Sequence, residues 1–290
     1  MMADFREIPS PTYDNEINRL VGYYKNALLE IDIKLKKIDL TDLQRATALA
    51  IQQDITNILK ELDSNAAAWV EEHMPLVISD GIVRSIVALG VAESIEEART
   101  IVKFNRLNRD LVKTAIADTQ DDLLQVSQNV SRKVRTAIRQ VTAEVLRTNL
   151  TQGINSTAAL KRDIVRDLRK QLGDSLNTGI IDAAGRRWKP QVYAKMVVRT
   201  KMASAHREAT INEAISREAF YAVISRHGAK DMCRVWEGKI ISLVPNAPGD
   251  YPYIGSLPRR DIFHPNCRHV VTPIRRPDSL PDDLRELNNI

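Results

Sequence analysis

The chain has 290 residues, 43% hydrophobic and 27% charged, which is enough to bury a core in one or two domains and too apolar for a disordered protein. Two cysteines 34 positions apart exclude a disulfide-dense secreted framework, Asp4, Arg6 and Glu7 exclude an apolar leader directly after Met1, and no run approaches a ~20-residue membrane span, so a soluble intracellular protein with no membrane partner is expected. The net charge of +5 is unevenly spread, at −7 for residues 1–130, +11 for 131–210 and +1 for 211–290, so the basic middle can meet nucleic acid, an acidic protein surface or the chain's own acidic part.

Gly and Pro punctuate the chain unequally. Between Tyr13 and Gly81 only Gly22 and Pro75 intervene, whereas nine of the twelve prolines stand at or after Pro190. Helix is therefore expected early, and extended or irregular chain late. From Tyr13 to about Lys37, Ile17, Leu20, Val21, Tyr24, Leu28, Ile31 and Leu35 recur at helical spacing. Thr41 with Gln44 is a capping-box pattern for a second helix whose apolar side runs from Leu43 to Leu62, and the two are expected to pair as a hairpin. Asp63 and Ser64 read as the cap of a further short helix holding Trp69, with Pro75 ending it or starting the next.

Ser94 with Glu97 is another capping box, ahead of Ala98, Ile101, Val102 and Phe104. No Gly or Pro occurs from Arg109 to Leu150, where Val112, Ile116, Leu123, Val126, Val130, Val134, Ile138, Val141 and Val145 form a stripe. Unbroken, that helix would be roughly 60 Å long, so a break near Asp118 to Asp121 or a projecting arm is expected, with part of the stripe left to a partner chain. Asn155 or Ser156 caps a helix to about Leu172, and Gly173, Gly179 and Gly185 mark turns. Pro190 opens a helix with Tyr193, Met196, Val197, Thr200, Ala203, Ile211, Ala214 and Ile215 on one face. Strand formers then gather at Tyr221 to Ser225, Lys239 to Leu243 and His269 to Thr272, with Gly228 and Gly238 as turn residues. The fold class expected is mainly α: a long-helix N-terminal region over 1–175, a small α+β C-terminal module over 180–275, and a tail over 276–290.

Three blocks in order, GRRWKPQVYAKMVVRT, DMCRVWEGKIISL and FHPNCRHVVTP, resemble the C-terminal module of phage minor head proteins of the Mu F-like and related minor capsid families. The resemblance covers roughly residues 180–275. It implies a structural virion protein of a tailed phage or prophage rather than an enzyme, made in the host cytoplasm and placed in the head interior or at the portal vertex. The implied partners are the portal protein and other head proteins, and the implied work is head assembly, DNA packaging or delivery. Many relatives carry a Cys-x-x-Cys pair before the Gly of the second block; here Lys230 stands where the first cysteine would be, and Cys233 alone remains.

Both cysteines and three of the five histidines lie between His227 and His269. Cys233, His264, Cys267 and His269 could supply the two thiolates and two imidazoles of a tetrahedral zinc, with His227 and Asp231 as substitutes. Two other readings of the same residues remain open: a Cys233–Cys267 disulfide, or small buried cysteines with histidines bonded to loop backbone. Trp236-Glu237-Gly238 reads as a turn, and a catalytic Glu237 lacks a partner carboxylate. A hydrolytic zinc site around His264 and His269 lacks a general base. His206 and Glu208 read as surface residues, and His73 stands alone. Arg132, Arg135, Arg139, Lys161, Arg162, Arg166 and Arg169 are candidate phosphate contacts for an alternative function, sequence-independent binding of duplex DNA.

Overall fold

The computed structural model describes residues 5–38, 45–151, 158–177, 180–182 and 185–290. It is 66% helical, with long helices early and short antiparallel strands with 3-10 turns late, as expected from the sequence. In chain order the helices are α1 (Asp14–Lys36), α2 (Arg45–Ala88), α3 (Ile95–Ile101), α4 (Arg106–Thr151), α5 (Ala158–Asn177), α6 (Pro190–Ser216) and α7 (Asp282–Leu287). The strands are β1 (Ile180–Ile181), β2 (Arg187–Trp188), β3 (Tyr221–Ile224), β4 (Ile240–Ser242) and β5 (Val271–Ile274). No described helix is long and apolar enough to cross a membrane.

Contacts group the chain into two compact units, each assembled from separate stretches. One comprises Met1–Asp14, Val70–Thr119 and Val198–Ile290; the other comprises Asn15–Trp69 and Gln120–Val197.

In the second unit the apolar stripe of α4 is covered by the chain itself. Leu123, Val126, Val130, Val134, Ile138, Val141 and Val145 are all buried, as are Ile17, Leu20, Tyr24, Ile31 and Leu35 of α1 and Ile55, Leu59 and Leu62 of α2. Each such side chain gains about 1.5–3 kcal/mol on burial, so self-packing wins over a stripe kept for a partner chain. The tie is also polar: Tyr24 donates to the carbonyl of Leu123 at 3.2 Å, and Gln120 donates to that of Ala67 at 3.2 Å.

Several expected boundaries are corrected. α4 runs unbroken through Asp118 to Asp121. α2 continues past Asp63 and Ser64 and contains Pro75 in its interior, a ~3 kcal/mol penalty set against burial of Leu62, Ala66, Trp69, Val70, Met74, Val77 and Ile78 along one face. α5 likewise runs through Gly173. The Thr41–Gln44 box and the cap at Asn155 or Ser156 lie outside the described residues. Half of the Ser94–Glu97 box forms: Ser94 Oγ accepts from the N–H of Glu97 at 3.1 Å, whereas the Glu97 carboxylate accepts from the N–H of Glu93, one residue before the cap, at 2.8 Å.

The first unit holds a three-stranded antiparallel sheet, ordered β4-β3-β5, whose strands match the three expected runs. Both sheet faces are buried, which is why the strands read as continuous apolar runs. Ala222, Ile224, Ile241 and Val271 face one cluster with Ala214, Leu243, Leu257, Ile262, Cys233 and Cys267. Tyr221, Val223, Ile240 and Ile274 face another with Leu280 and Leu284. Residues 276–290 thus pack on the sheet instead of trailing from it. Asn288 Oδ1 accepts from the N–H of Ile240 at 2.9 Å, covering an exposed edge of β4.

α6 begins at Pro190 as expected, and Val197 and Ala214 of the expected face are buried, but the rest of its buried apolar side is Ala194, Val198, Met202, Ala205 and Ala209. Small side chains let α6 approach α2 closely: a Cβ on Gly81 would lie 2.3 Å from the carbonyl oxygen of His206. Thr210 bridges the crossing by donating to the carbonyl of Gly81 at 3.0 Å.

Candidate metal centre

The centre is built from three local devices. Asp231 caps a 3-10 turn, Met232–Trp236, by accepting from the N–H of Cys233 at 3.1 Å, which fixes the first cysteine with 1% exposure. The second device is the His264-Pro265-Asn266-Cys267 turn, closed by the Cys267 N–H on the carbonyl of His264 at 2.9 Å. Residues on either side of His264-Pro265 are left-handed, Phe263 at φ 57° and Asn266 at φ 66°. Asparagine tolerates this conformation; phenylalanine adopts it only where packing enforces it. Here Arg207 of α6 lies over the Phe263 ring, 4.2 Å from its centroid, and Thr200 Oγ1 accepts from the N–H of Asn266 at 3.2 Å. The third device is the lead into β5, where Ser225 and Val270 are bonded to each other and carry His269 inward.

These devices bring Cys233, Cys267 and His269 into one group and place His264 on the other side of Cys233. Cys233 Sγ lies 3.6 Å from Cys267 Sγ and 3.1 Å from His264 Nε2, and Cys267 Sγ lies 3.3 Å from His269 Nδ1. Ligand atoms around a tetrahedral zinc, bound at ~2.3 Å for sulfur and ~2.0 Å for nitrogen, stand roughly 3.3–3.8 Å apart, so the Cys233–Cys267 and Cys267–His269 distances fit such an ion. The four form two overlapping groups that share Cys233: Cys233, Cys267 and His269 in one, and Asp231, Cys233 and His264 in the other. The substitute ligands join in the same way, Asp231 beside His264 and His227 in a third group with Glu237 and His269.

Protonation acts on metal uptake in opposite senses at the thiol and the imidazole. Burial pushes the Cys233 thiol up, and the Cys267 thiol beside it adds to the effect, so a bound cation would replace a proton there. Burial also pulls His269 down, which keeps its imidazole neutral and able to ligate. His264 bonds from Nδ1 to the carbonyl of Pro265 at 2.9 Å, leaving Nε2 to face Cys233. Burial brings Arg207 down to about 10, still charged at neutral pH, although the neighbouring Cys267 works against that drop.

The two rival readings fare differently. The cysteines are unbonded, both sulfurs free and in van der Waals contact. They are also members of the small apolar cluster under the sheet, so a core role and a ligand role coexist at the same atoms. Glu237 belongs to the centre although its sequence context read only as a turn. Its carboxylate meets His269 Nε2 at 3.3 Å; Glu237 stands 32 residues from His269, and no local spacing pointed to it. Burial opposes its ionisation, but the N–H groups of His227 and Ala229 and the His269 ring hold its carboxyl below the usual range.

His206 is corrected: it is 2% exposed rather than on the surface, while Glu208 is exposed. His73, 5% exposed, lies 3.9 Å from the Glu72 carboxylate. Among the basic candidates, Arg135 donates to Thr56 Oγ1 at 2.8 Å and Arg169 donates to the carbonyls of Lys36 and Ile38 at 2.5 and 3.3 Å, closing the end of α1. Arg166 lies 3.5 Å from Asp167, and Arg139 is exposed. Arg132 lines a groove of about 1000 Å³ between α4 and α5 with Lys133 and Lys170, opposite Asp167 and Asp174. The side chains of Lys161 and Arg162 lie outside those described.

A family model described as phage minor capsid protein 2 matches residues 43–290. That stretch reaches well beyond residues 180–275 and takes in the long helices from α2 onward. No curated protein and no solved structure matches the chain significantly.

Proposed function

This chain belongs to the phage minor capsid protein 2 family, and we propose that within the virion it is a structural protein of the portal vertex, assisting head assembly, DNA packaging or delivery, without enzymatic activity. The observation that carries this reading is the extent of the match, which joins the helical body and the Cys/His module in one minor capsid architecture. Other head proteins are its expected partners. A contact surface is offered by α1, where Leu29 and Ile33, one turn apart, are 59% and 43% exposed.

Zinc is the cofactor this reading assigns, held by Cys233, Cys267 and His269, with His264 the remaining candidate. Two thiolates and imidazole nitrogen are a soft set suited to zinc rather than magnesium or calcium. Cys233, Cys267 and His269 are 1%, 7% and 2% exposed, a burial that fits a structural ion better than a catalytic one needing an open position. The ion would tie the capped turn at Asp231, the His264–Cys267 turn and the lead into β5 to one point. Sequence-independent DNA binding is the second reading, favoured by Arg132, Lys133 and Lys170 lining one groove.

Co-purification of the full-length chain with portal assemblies tests the first reading. The parent should be retained and a Leu29→Asp/Ile33→Asp variant lost, with both equally folded. No retention of the parent, together with salt-sensitive duplex binding that Lys133→Glu/Lys170→Glu abolishes, would replace the portal reading with the DNA reading.

A further inference from the structure

We propose that Glu237 is the positioning residue of the centre: its carboxylate selects the His269 ring orientation and tautomer that aim the Nδ1 lone pair at the two thiols. This rests on the zinc reading above. A neutral imidazole carries one N–H, and the nitrogen facing a carboxylate is the one that keeps it, because two lone pairs would repel. His269 Nε2 lies 3.3 Å from Glu237 Oε1, so Nε2 carries the proton and Nδ1, 3.3 Å from Cys267 Sγ, offers its lone pair to a metal.

Everything else about His269 is already fixed. The next residue, Val270, is held by paired bonds with Ser225 at 2.9 and 3.1 Å, and the His269 ring lies on that of His227 with centroids 4.1 Å apart. The remaining freedom is which nitrogen points inward, and the Glu237 carboxylate, which can only accept, discriminates between the two, whereas the Cys267 thiol at Nδ1 can donate or accept. Glu237 is itself anchored, since the same Oε1 accepts from the N–H groups of His227 and Ala229 at 2.9 and 3.0 Å. Gly238, at φ 75°, turns the chain directly after it toward β4. At His264 the backbone carbonyl of Pro265 does the equivalent work from Nδ1.

The test uses the full-length protein, stripped of metal and titrated with zinc alone against a chromophoric chelator. Glu237→Gln keeps an oxygen for the N–H groups of His227 and Ala229 while removing the charge that selects the His269 tautomer. It should weaken zinc binding about 10–100-fold while the metal-free protein still unfolds in one cooperative thermal transition. Long-range ¹⁵N NMR of the metal-free parent should show His269 protonated on Nε2, and the variant a mixture. Parent-like zinc affinity in Glu237→Gln, or an unchanged tautomer, overturns the inference and leaves the zinc reading standing. If the parent takes up no zinc while Cys233→Ser is as stable as the parent, the zinc reading fails and this inference falls with it.

Discussion

Arg84 shows how much one side chain can join in this fold. Only 3% exposed, its guanidinium donates to the carbonyls of Ile8, Pro9 and Val271 and to Thr272 Oγ1, and no carboxylate is within ion-pair distance among the described residues. Burial lowers it to about 10, which still leaves it charged at neutral pH. Arg84→Met would orphan the buried carbonyls of Ile8 and Val271 at once, and a loss of ~3 kcal/mol or more is expected by urea unfolding, with faster amide exchange in β5. His206 supplies a pH dependence. Burial, and then the charges of Arg84 and Arg207, bring it from 6.5 down to about 3, and its Nδ1 has no hydrogen-bond partner among the described residues. Because the unfolded chain takes up that proton first, stability is complete above pH 6.5 and is lost as pH falls toward 3. The expected loss is about 2 kcal/mol at pH 5, and His206→Leu should flatten that limb of the thermal midpoint against pH. At the centre, Cys233→Ser should release close to one equivalent of metal and lower the thermal midpoint, checked by elemental analysis and calorimetry. The four candidate ligands were legible because cysteine and histidine are rare and cluster in sequence. Arg84, His206 and Glu237 were not, since what they do depends on partners far along the chain.

Among the elements, α2 and α6 make the sharpest case. In an ordinary helix Gly→Ala gains roughly 0.5–1 kcal/mol. Gly81→Ala should do the opposite, because its Cβ would fall 2.3 Å from the His206 carbonyl and 2.9 Å from the Ala209 Cβ, so one helix must move. A destabilisation of about 2–3 kcal/mol by urea unfolding is expected, and a stabilisation would show that the crossing is looser than described. Apolar periodicity located α1, α4, α6 and the first part of α2, yet it placed the buried side of α6 on large residues such as Tyr193 and Met196, which are only partly buried. Alanine carries little weight in such patterns, although it is what a close crossing requires. Pro75 and Asp63 were read as punctuation; inside α2 the burial of residues on both sides outweighs their local preference.

For the whole molecule, chain order and spatial grouping differ. The sheet and the centre belong to a unit that also includes Val70–Thr119, so a fragment of residues 180–290 would leave the close face of α6 bare. Such a fragment is expected to aggregate or to lose cooperative unfolding, whereas the intact chain stays soluble. Sequence showed the class, a helical body with a small α+β module, because periodicity changes where glycine and proline accumulate. It could not show which stretches share a unit, since that is decided by contacts between residues far apart in sequence. The portal assignment is tested most directly by cross-linking mass spectrometry on purified phage heads, using the exposed lysines Lys25 and Lys37 that flank Leu29 and Ile33 of α1. The account predicts cross-links from these lysines to the portal protein; cross-links confined to the major shell protein, with none to the portal, would contradict it.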